Sequence, residues 1–331
     1  MLAIQVRKPG GVDALEPVQI PSPQPAPGEV RVRALAIGVG KPDSLIRQGT
    51  YKWMPPLPAI PGNEMAGEIE AVGAGVPQER IGDRVLVSSR ELATRGGCYA
   101  QAICVPADSV YALPAGVDPV DAVSLPNYQL AAALLDVATG GWKPKSVLVP
   151  GAAGGVGTAL AQTAAARGIE VIGTVSSEAK REFAASYATR QLIRRDQEDV
   201  AARVREITGG RGVDIVFDHV GGPGLIAAFD MLAPLGMVIS YNALDGIPER
   251  NVFARMRELV GRSLALRCFS IHTLDDMPVL RRGLMQSVIG QMAQGMLRPP
   301  AATVLPLAEA RRAHELLDRG ETLGKLVLDP S

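Results

Sequence analysis

Apolar and polar positions alternate along the first third of the chain. Met1-Leu2-Ala3-Ile4-Gln5-Val6 does so from the start, and residues 28–36 repeat the pattern with Val30, Val32 and Ala34 on one side. Residues 67–72, 84–87 and 100–105 continue it. A period of two is that of a strand with one buried face. Pro21, Pro23, Pro25 and Pro27 read as an irregular connection, because proline cannot donate to a sheet ladder. Eighteen of the 26 prolines fall within residues 1–150, so this part is expected to be β-rich with few helices.

From about Ser124 the period changes. Residues 130–137 are apolar and Ala-rich at helical length. Ser146–Val149 is a short buried strand, and 157–166 a helix of small residues. Glu170–Val175, 213–217, 236–241 and 264–269 read as further strands, with helices at Val200–Ile207 and 225–232 between them. Strands alternating with helices predict a parallel sheet with crossover helices. Residues 280–294 and 304–327 read as two helices and a returning strand pair. The fold class is therefore α/β, and 331 residues suit two domains.

Composition narrows the function. Lys plus Arg and Asp plus Glu are 34 each, so the net charge is zero. Nothing electrostatic calls for a nucleic-acid or membrane partner. No apolar run approaches the ~20 residues that span a bilayer, and the first residues do not pattern as a secretory leader. Three cysteines (Cys98, Cys104, Cys268) without a CxxC read as free thiols in a cytoplasmic protein. Three histidines (His219, His272, His314), none four apart, make a zinc site improbable, and no metal is expected.

The strongest local signal is Gly151-Ala152-Ala153-Gly154-Gly155-Val156-Gly157, between the strand Ser146–Val149 and a helix. Glycines let the backbone approach a pyrophosphate, and the helix start offers N–H groups and a partial positive charge. Gly151, Ala153, Gly154, Gly155, Val156 and Gly157 are the candidate cradle. The next strand ends in Ser176-Ser177 with Lys180 beyond, where an NAD site usually places an acid. Hydroxyls and a cation suit a 2′-phosphate, so the expected cofactor is NADP(H). Arg194 and Arg195 could add a fork; alternatively these cations form a solvated face and Ser176 caps the following helix. Tyr241, Asn242 and Phe269 end strands, where ligands collect in open α/β sheets. Phe269 could equally be core, and Cys268 is expected as a small buried hydrophobe. His219 is expected to be a satisfied loop histidine.

Several segments together resemble the medium-chain dehydrogenase/reductase superfamily. They are Pro61-Gly62-Asn63-Glu64-Met65-Ala66-Gly67 running to Val72-Gly73, then Gly82-Asp83-Arg84-Val85 and Gly97-Cys98-Tyr99-Ala100. The turn 151–157 and Asp218-His219-Val220-Gly221-Gly222 complete the set. The similar branch is the zinc-free quinone oxidoreductases, which include zeta-crystallin. The resemblance implies a GroES-like catalytic domain over 1–122 and 271–331, and a Rossmann doubly wound domain over 123–270 with a cleft between them. It also implies hydride transfer from a nicotinamide, with Val220 in the cofactor set, and a homodimer. The expected edge strand 264–269 offers a means of pairing.

Departures refine this. Where the zinc branch has Cys and His, this chain has Gly40 and Asn63, and the four-cysteine lobe has no counterpart between Arg84 and Val105. Gly40 and Leu130 also replace polar residues common in the quinone branch, for which Asn127 is a candidate substitute in substrate binding. Residues 47–51 and 57–64 are similar to enoyl-thioester reductases, whose loop Tyr protonates the substrate; Tyr51 matches it. Tyr51 is thus the candidate acid, or with Trp53 only a pocket wall. Glu64 reads as buried scaffold. The expected activity is NADPH-dependent reduction of a quinone or related conjugated carbonyl. The alternatives are an enoyl-thioester reductase or a non-catalytic NADPH-binding protein.

Overall fold

The computed structural model of the chain describes every residue except Ala188 and Arg190. The described residues form two compact units, Met1–Pro126 with Ile289–Ser331, and Asn127–Val288.

The first unit is built on one mixed sheet. Its strands run Thr303–Pro306, Leu326–Asp329, Glu29–Val39, Glu64–Val72, Arg84–Ser88, Tyr111–Ala112, with Ala102–Pro106 also paired to Glu29–Val39. Only the pairing of Thr303–Pro306 with Leu326–Asp329 is parallel; the others are antiparallel. Alternate side chains turn inward from Val30 to Ala34 and, past a register shift between Ala34 and Ala36, the strand buries Ile37; these residues belong to one core with Met65, Ile69, Val85 and Val87. Each such aliphatic contributes roughly 1.5–3 kcal/mol through burial. The returning strands at the C-terminus thereby complete a sheet begun near the N-terminus.

Hydropathy does not predict the helix Lys41–Gln48 in this unit. Its buried residues are Asp43, Ser44, Ile46 and Arg47, three of them polar. They tolerate burial by pairing: Arg47 Nη2 and Ser44 Oγ both donate to Asp318, at 2.6 and 2.7 Å.

The second unit is a six-stranded parallel sheet. Edge to edge it runs Gln191–Arg194, Glu170–Val175, Ser146–Val149, Val213–Asp218, Leu232–Ser240, Ala265–Cys268. Chain order reverses beside Ser146–Val149, which pairs with Glu170–Val175 on one side and Val213–Asp218 on the other. In open parallel sheets this reversal opens the crevice where ligands bind.

Some expected bounds move. The helix after the glycine turn is Gly155–Ala165, two residues earlier than expected. The expected helix 225–232 is Gly222–Ala228 with a single tight turn at Phe229–Met231, and its strand starts at Leu232 rather than Gly236. Pro223 near the start accounts for the earlier beginning, because its fixed φ suits a first helical turn. Cys268 is exposed, contrary to expectation, because Ala265–Cys268 is the edge strand of the sheet and its last two residues are left uncovered.

Candidate functional site

Strand and helix together build the glycine turn. Ala152 N–H donates to Thr174 O at 3.0 Å, Gly154 N–H to Gly151 O at 2.9 Å, and Thr158 Oγ1 to Ala152 O at 3.1 Å. The turn's carbonyls are thus held from below. Gly154 caps the helix in extended backbone, and no side chain caps the first turn. The leading N–H groups of Gly155, Val156 and Gly157 therefore have no intrahelical acceptor and point outward with the positive end of the helix dipole. Gly157 is obligatory: a Cβ there would lie 2.2 Å from Gly151 O. These are the contacts a diphosphate makes, so the residues fit a dinucleotide.

The group after the next strand divides into used and usable charges. Ser177, not Ser176, caps the helix Glu178–Ala185, its Oγ accepting from Lys180 N–H at 3.3 Å. Ser176 Oγ instead accepts from Lys180 Nζ at 3.1 Å. Arg194 does not supply the suggested fork. It is consumed by Glu178 and Asp196, each at 2.7 Å, and those partners raise its pKa further. Arg195 is exposed and makes no ion pair among the described residues, while its N–H donates to Val175 O at 3.0 Å. Ser176 and Arg195 thus stand at neighbouring strand ends, with Lys180 in the first turn of the helix Glu178–Ala185. Ser177 contributes its backbone position and cap.

Asp218 organises the third part of the unit. Its carboxylate accepts from Val220 N–H, Gly221 N–H and Ser240 Oγ at 3.0–3.3 Å, and its carbonyl from Tyr241 N–H at 2.8 Å. Val220 and Tyr241 are thereby fixed at the ends of adjacent strands. The Tyr241 ring lies 5.8 Å from that of His219, and burial raises the phenol pKa. Asn242 is exposed and turns its Oδ1 back to Ala243 N–H at 2.9 Å. Phe269 is half-buried, its N–H on Ser240 O at 2.9 Å. His219 is not the satisfied histidine expected: among the described residues its buried Nδ1 has no partner, because the surrounding loop spends its acceptors on backbone N–H groups. Asn127 is half-buried at the start of the helix Leu125–Asp136, next to Tyr128, whose hydroxyl donates to Gln162 at 3.1 Å.

In the first unit, the helix Lys41–Gln48 delivers Tyr51. Leu45 O accepts from Tyr51 N–H at 3.2 Å, and Gly49 reverses the chain with φ 72°. The Tyr51 ring packs at 5.7 Å and 59° against Trp53, over which Lys52 places its ammonium.

A second cluster in this unit was not anticipated. Asp43, fully buried, accepts from Gly40 N–H (2.8 Å), Gly62 N–H (3.1 Å) and Asn63 Nδ2 (2.6 Å). Ser89 Oγ donates to Asn63 Oδ1 at 2.6 Å, so both ends of that amide are spoken for. Lys325 forms a buried ion pair with Glu64. Glu64 fits because a Cβ on Gly38 would sit 2.5 Å from its Oε1. Burial, then the Glu64 charge, push the Asp43 pKa up to about 7, against the hydrogen bonds from Asn63 and Gly40. One sequence signal pointed here: an acid expected in the core needs a cation.

These residues do not suit zinc. Gly40 has no side chain, Asn63 is tied to Asp43 and Ser89, and Glu64 is neutralised by Lys325. Among the described residues no three His, Cys, Asp or Glu side chains gather as a metal site. Among them, too, no helix is long and apolar enough to cross a membrane.

Known proteins share this architecture. Residues 26–115 match the alcohol dehydrogenase GroES-like domain, and residues 155–281 the zinc-binding dehydrogenase family. A quinone oxidoreductase of Pseudomonas aeruginosa is 34% identical, over 87% of each chain. The synaptic vesicle membrane protein VAT-1 homolog of Homo sapiens is 31% identical, over 88% of this chain and 77% of that protein. The structure of Escherichia coli quinone oxidoreductase complexed with NADPH superposes with a TM-score of 0.87 at 29% identity, covering all of both chains.

Proposed function

The chain belongs to the quinone oxidoreductase type of the medium-chain dehydrogenase/reductase superfamily, and from that premise we propose that it is an NADPH-dependent, zinc-independent reductase of quinones or related conjugated carbonyls. The observation that carries this is the uncapped helix start behind Gly154, closed to any side chain at Gly157, with Ser176, Lys180 and Arg195 near the following strand ends.

In this reading residues 123–270 hold the dinucleotide, and 1–122 with 271–331 hold the acceptor. The N–H groups of the 151–157 turn bind the diphosphate, and Lys180, Arg195 and the Ser176 hydroxyl bind the 2′-phosphate. Val220, Tyr241, Asn242 and Phe269 line the nicotinamide end. When bound, the reduced nicotinamide supplies a hydride to an electron-poor acceptor. Tyr51 and Trp53, with Asn127 as a further polar contact, line the acceptor pocket; the anion left by hydride transfer to a quinone takes its proton from solvent, whereas an enone or enoyl thioester would draw it from Tyr51 as the catalytic acid. The Asp43–Asn63 and Glu64–Lys325 pairs hold the backbone that bears these side chains, in place of a metal. The outward strand Ala265–Cys268 would pair with a second copy. Three free cysteines suit a reducing cytoplasm.

The test is NADPH oxidation against a benzoquinone, a naphthoquinone, a short enone and a 2-enoyl-CoA, with NADH in parallel and Tyr51→Phe beside the parent. Faster turnover of quinones with NADPH, little changed in the variant, is expected. Preference for the enoyl thioester with a large loss in Tyr51→Phe would move the chain to the enoyl-reductase reading. NADPH binding without turnover of any acceptor would make it a binding protein.

A further inference from the structure

The register of the central strand pair aligns Val216 with Leu148 and Ile215 with Val147. Continued three residues, it brings His219 beside Gly151, the first residue of the cradle. The contact is close: a Cβ built on Gly151, which stands at φ 65°, would lie 3.1 Å from His219 Cε1 and 3.3 Å from Nε2. His219 therefore turns its Cε1–Nε2 edge to the turn, from the strand across the crevice where chain order reverses.

The ring is held but, among the described residues, not hydrogen-bonded. Tyr241 flanks one face at 5.8 Å and 33°. Leu244 N–H donates to the His219 carbonyl at 3.3 Å and Asp245 N–H to the Val220 carbonyl at 2.7 Å, so the backbone is anchored on both sides. Nδ1 is buried without a partner. An unpaired donor is the worse of the two burdens to bury, since its proton then finds no acceptor. The neutral tautomer with bare Nδ1 and protonated Nε2 is the economical one. It leaves an N–H donor at the edge that faces Gly151.

We propose that His219 is a cofactor-positioning residue whose Nε2–H donates to the diphosphate of the dinucleotide, opposite the N–H groups of the cradle helix. The inference rests on the NADPH reading above and adds to it a contact from the far side of the crevice. Two surfaces then grip the diphosphate, a helix start from one strand and an imidazole from its neighbour.

The charged groups around the ring are Asp218 before it on its own strand, Arg195 from the edge-strand end, and Asp245 from the loop after Leu232–Ser240; Tyr241 is its titratable neighbour. Burial, aided by Arg195 and opposed by Asp218 and Asp245, lowers the imidazole pKa. A diphosphate against the ring favours its protonated form, against the cost of a proton on buried Nδ1, so NADPH binding should tighten as pH falls toward the low end of the range.

The experiment is titration of the full chain with NADPH, and separately with adenosine 2′-phosphate, between pH 6 and pH 8. The parent is compared with His219→Ala and His219→Gln. Expected are about tenfold weaker NADPH binding for His219→Ala and unchanged binding of adenosine 2′-phosphate, which lacks the diphosphate. His219→Gln, whose amide keeps a donor, is expected to recover part of the affinity while losing the parent's steeper pH dependence. Equal NADPH affinity and pH slope in all three proteins would overturn the proposal, as would an equal loss for adenosine 2′-phosphate, which would mark a structural role. Should His219→Ala fail to fold, the pH slope of His219→Gln decides alone. A parent that binds no NADPH would remove the functional reading itself, and this contact with it.

Discussion

The glycine turn 151–157 and the Asp43–Glu64 cluster both gather polar groups at the ends of strands, and they dispose of them in opposite ways. At the turn, carbonyls are paired internally while the helix-start N–H groups have no intrahelical acceptor. In the cluster, Asp43 takes three donors, Asn63 is tied at both ends and Glu64 has its own lysine. Open groups of one sign mark a ligand site. Groups that neutralise one another mark scaffold, even at Gly40 and Asn63, the positions where the zinc-bearing branch of the superfamily carries ligands. The polar groups of the cluster are accordingly engaged with one another and with Ser89 and Lys325.

The comparison breaks most visibly if the closed cluster is opened. Lys325→Met leaves the buried Glu64 carboxylate facing Asp43 with no cation, and should cost about 3–5 kcal/mol in a denaturant melt. Adding Glu64→Gln should restore a good part of that loss, because the charge that needed Lys325 is gone. Additive losses would mean that the pair is not coupled. Next comes the open site: Gly157→Val should weaken NADPH binding by about 100-fold or more, ~2.8 kcal/mol, with little change in the unfolding of the first unit. Binding within a few-fold of the parent would show that the turn is not the cradle.

A smaller effect sharpens the account of the cluster. The folded-state pKa of Asp43 is raised to about 7 from an ordinary value of 3.8. Between those values the folded protein binds more protons than the unfolded chain, so stability falls as pH rises from about 4 to about 7. The slope is at most about 1.4 kcal/mol per pH unit for one group. Asp43→Asn should flatten that slope, at the cost of the bond from Gly40 N–H. An unchanged slope in thermal melts across this range would assign it elsewhere. Smallest are the open site's cations: Lys180→Ala and Arg195→Ala should each reduce the preference for NADPH over NADH in kcat/KM by about tenfold. Arg194→Ala should leave it nearly unchanged, because that guanidinium is already engaged.

The contrast also explains what could be read from the sequence. Ser146–Val149, Glu170–Val175 and Val200–Ile207 were legible residue for residue, because buried strands and amphipathic helices write their period into hydropathy. The glycine turn was legible because steric need at Gly157 leaves glycine in the text. The helix Lys41–Gln48 was not, since its buried face is largely Asp43, Ser44 and Arg47, polar residues that pair with Asn63 and Asp318. Lys325 lies 261 positions from Glu64, so no local pattern could join them. The same limit hid the fate of the arginines: Arg194 and Arg195 are adjacent, yet only the fold shows which one carboxylates already hold. His219 was misread for a related reason, since whether a buried nitrogen finds a partner depends on loops elsewhere in the chain.

If the glycine turn binds NADPH and the Asp43–Glu64 cluster is scaffold, hydride transfer needs no metal. The direct measurement is steady-state NADPH oxidation with a naphthoquinone, using protein stripped with a chelator and shown by elemental analysis to hold no zinc. The account predicts saturable turnover unchanged by stripping or by added zinc. Turnover that disappears on stripping and returns with stoichiometric zinc would contradict it.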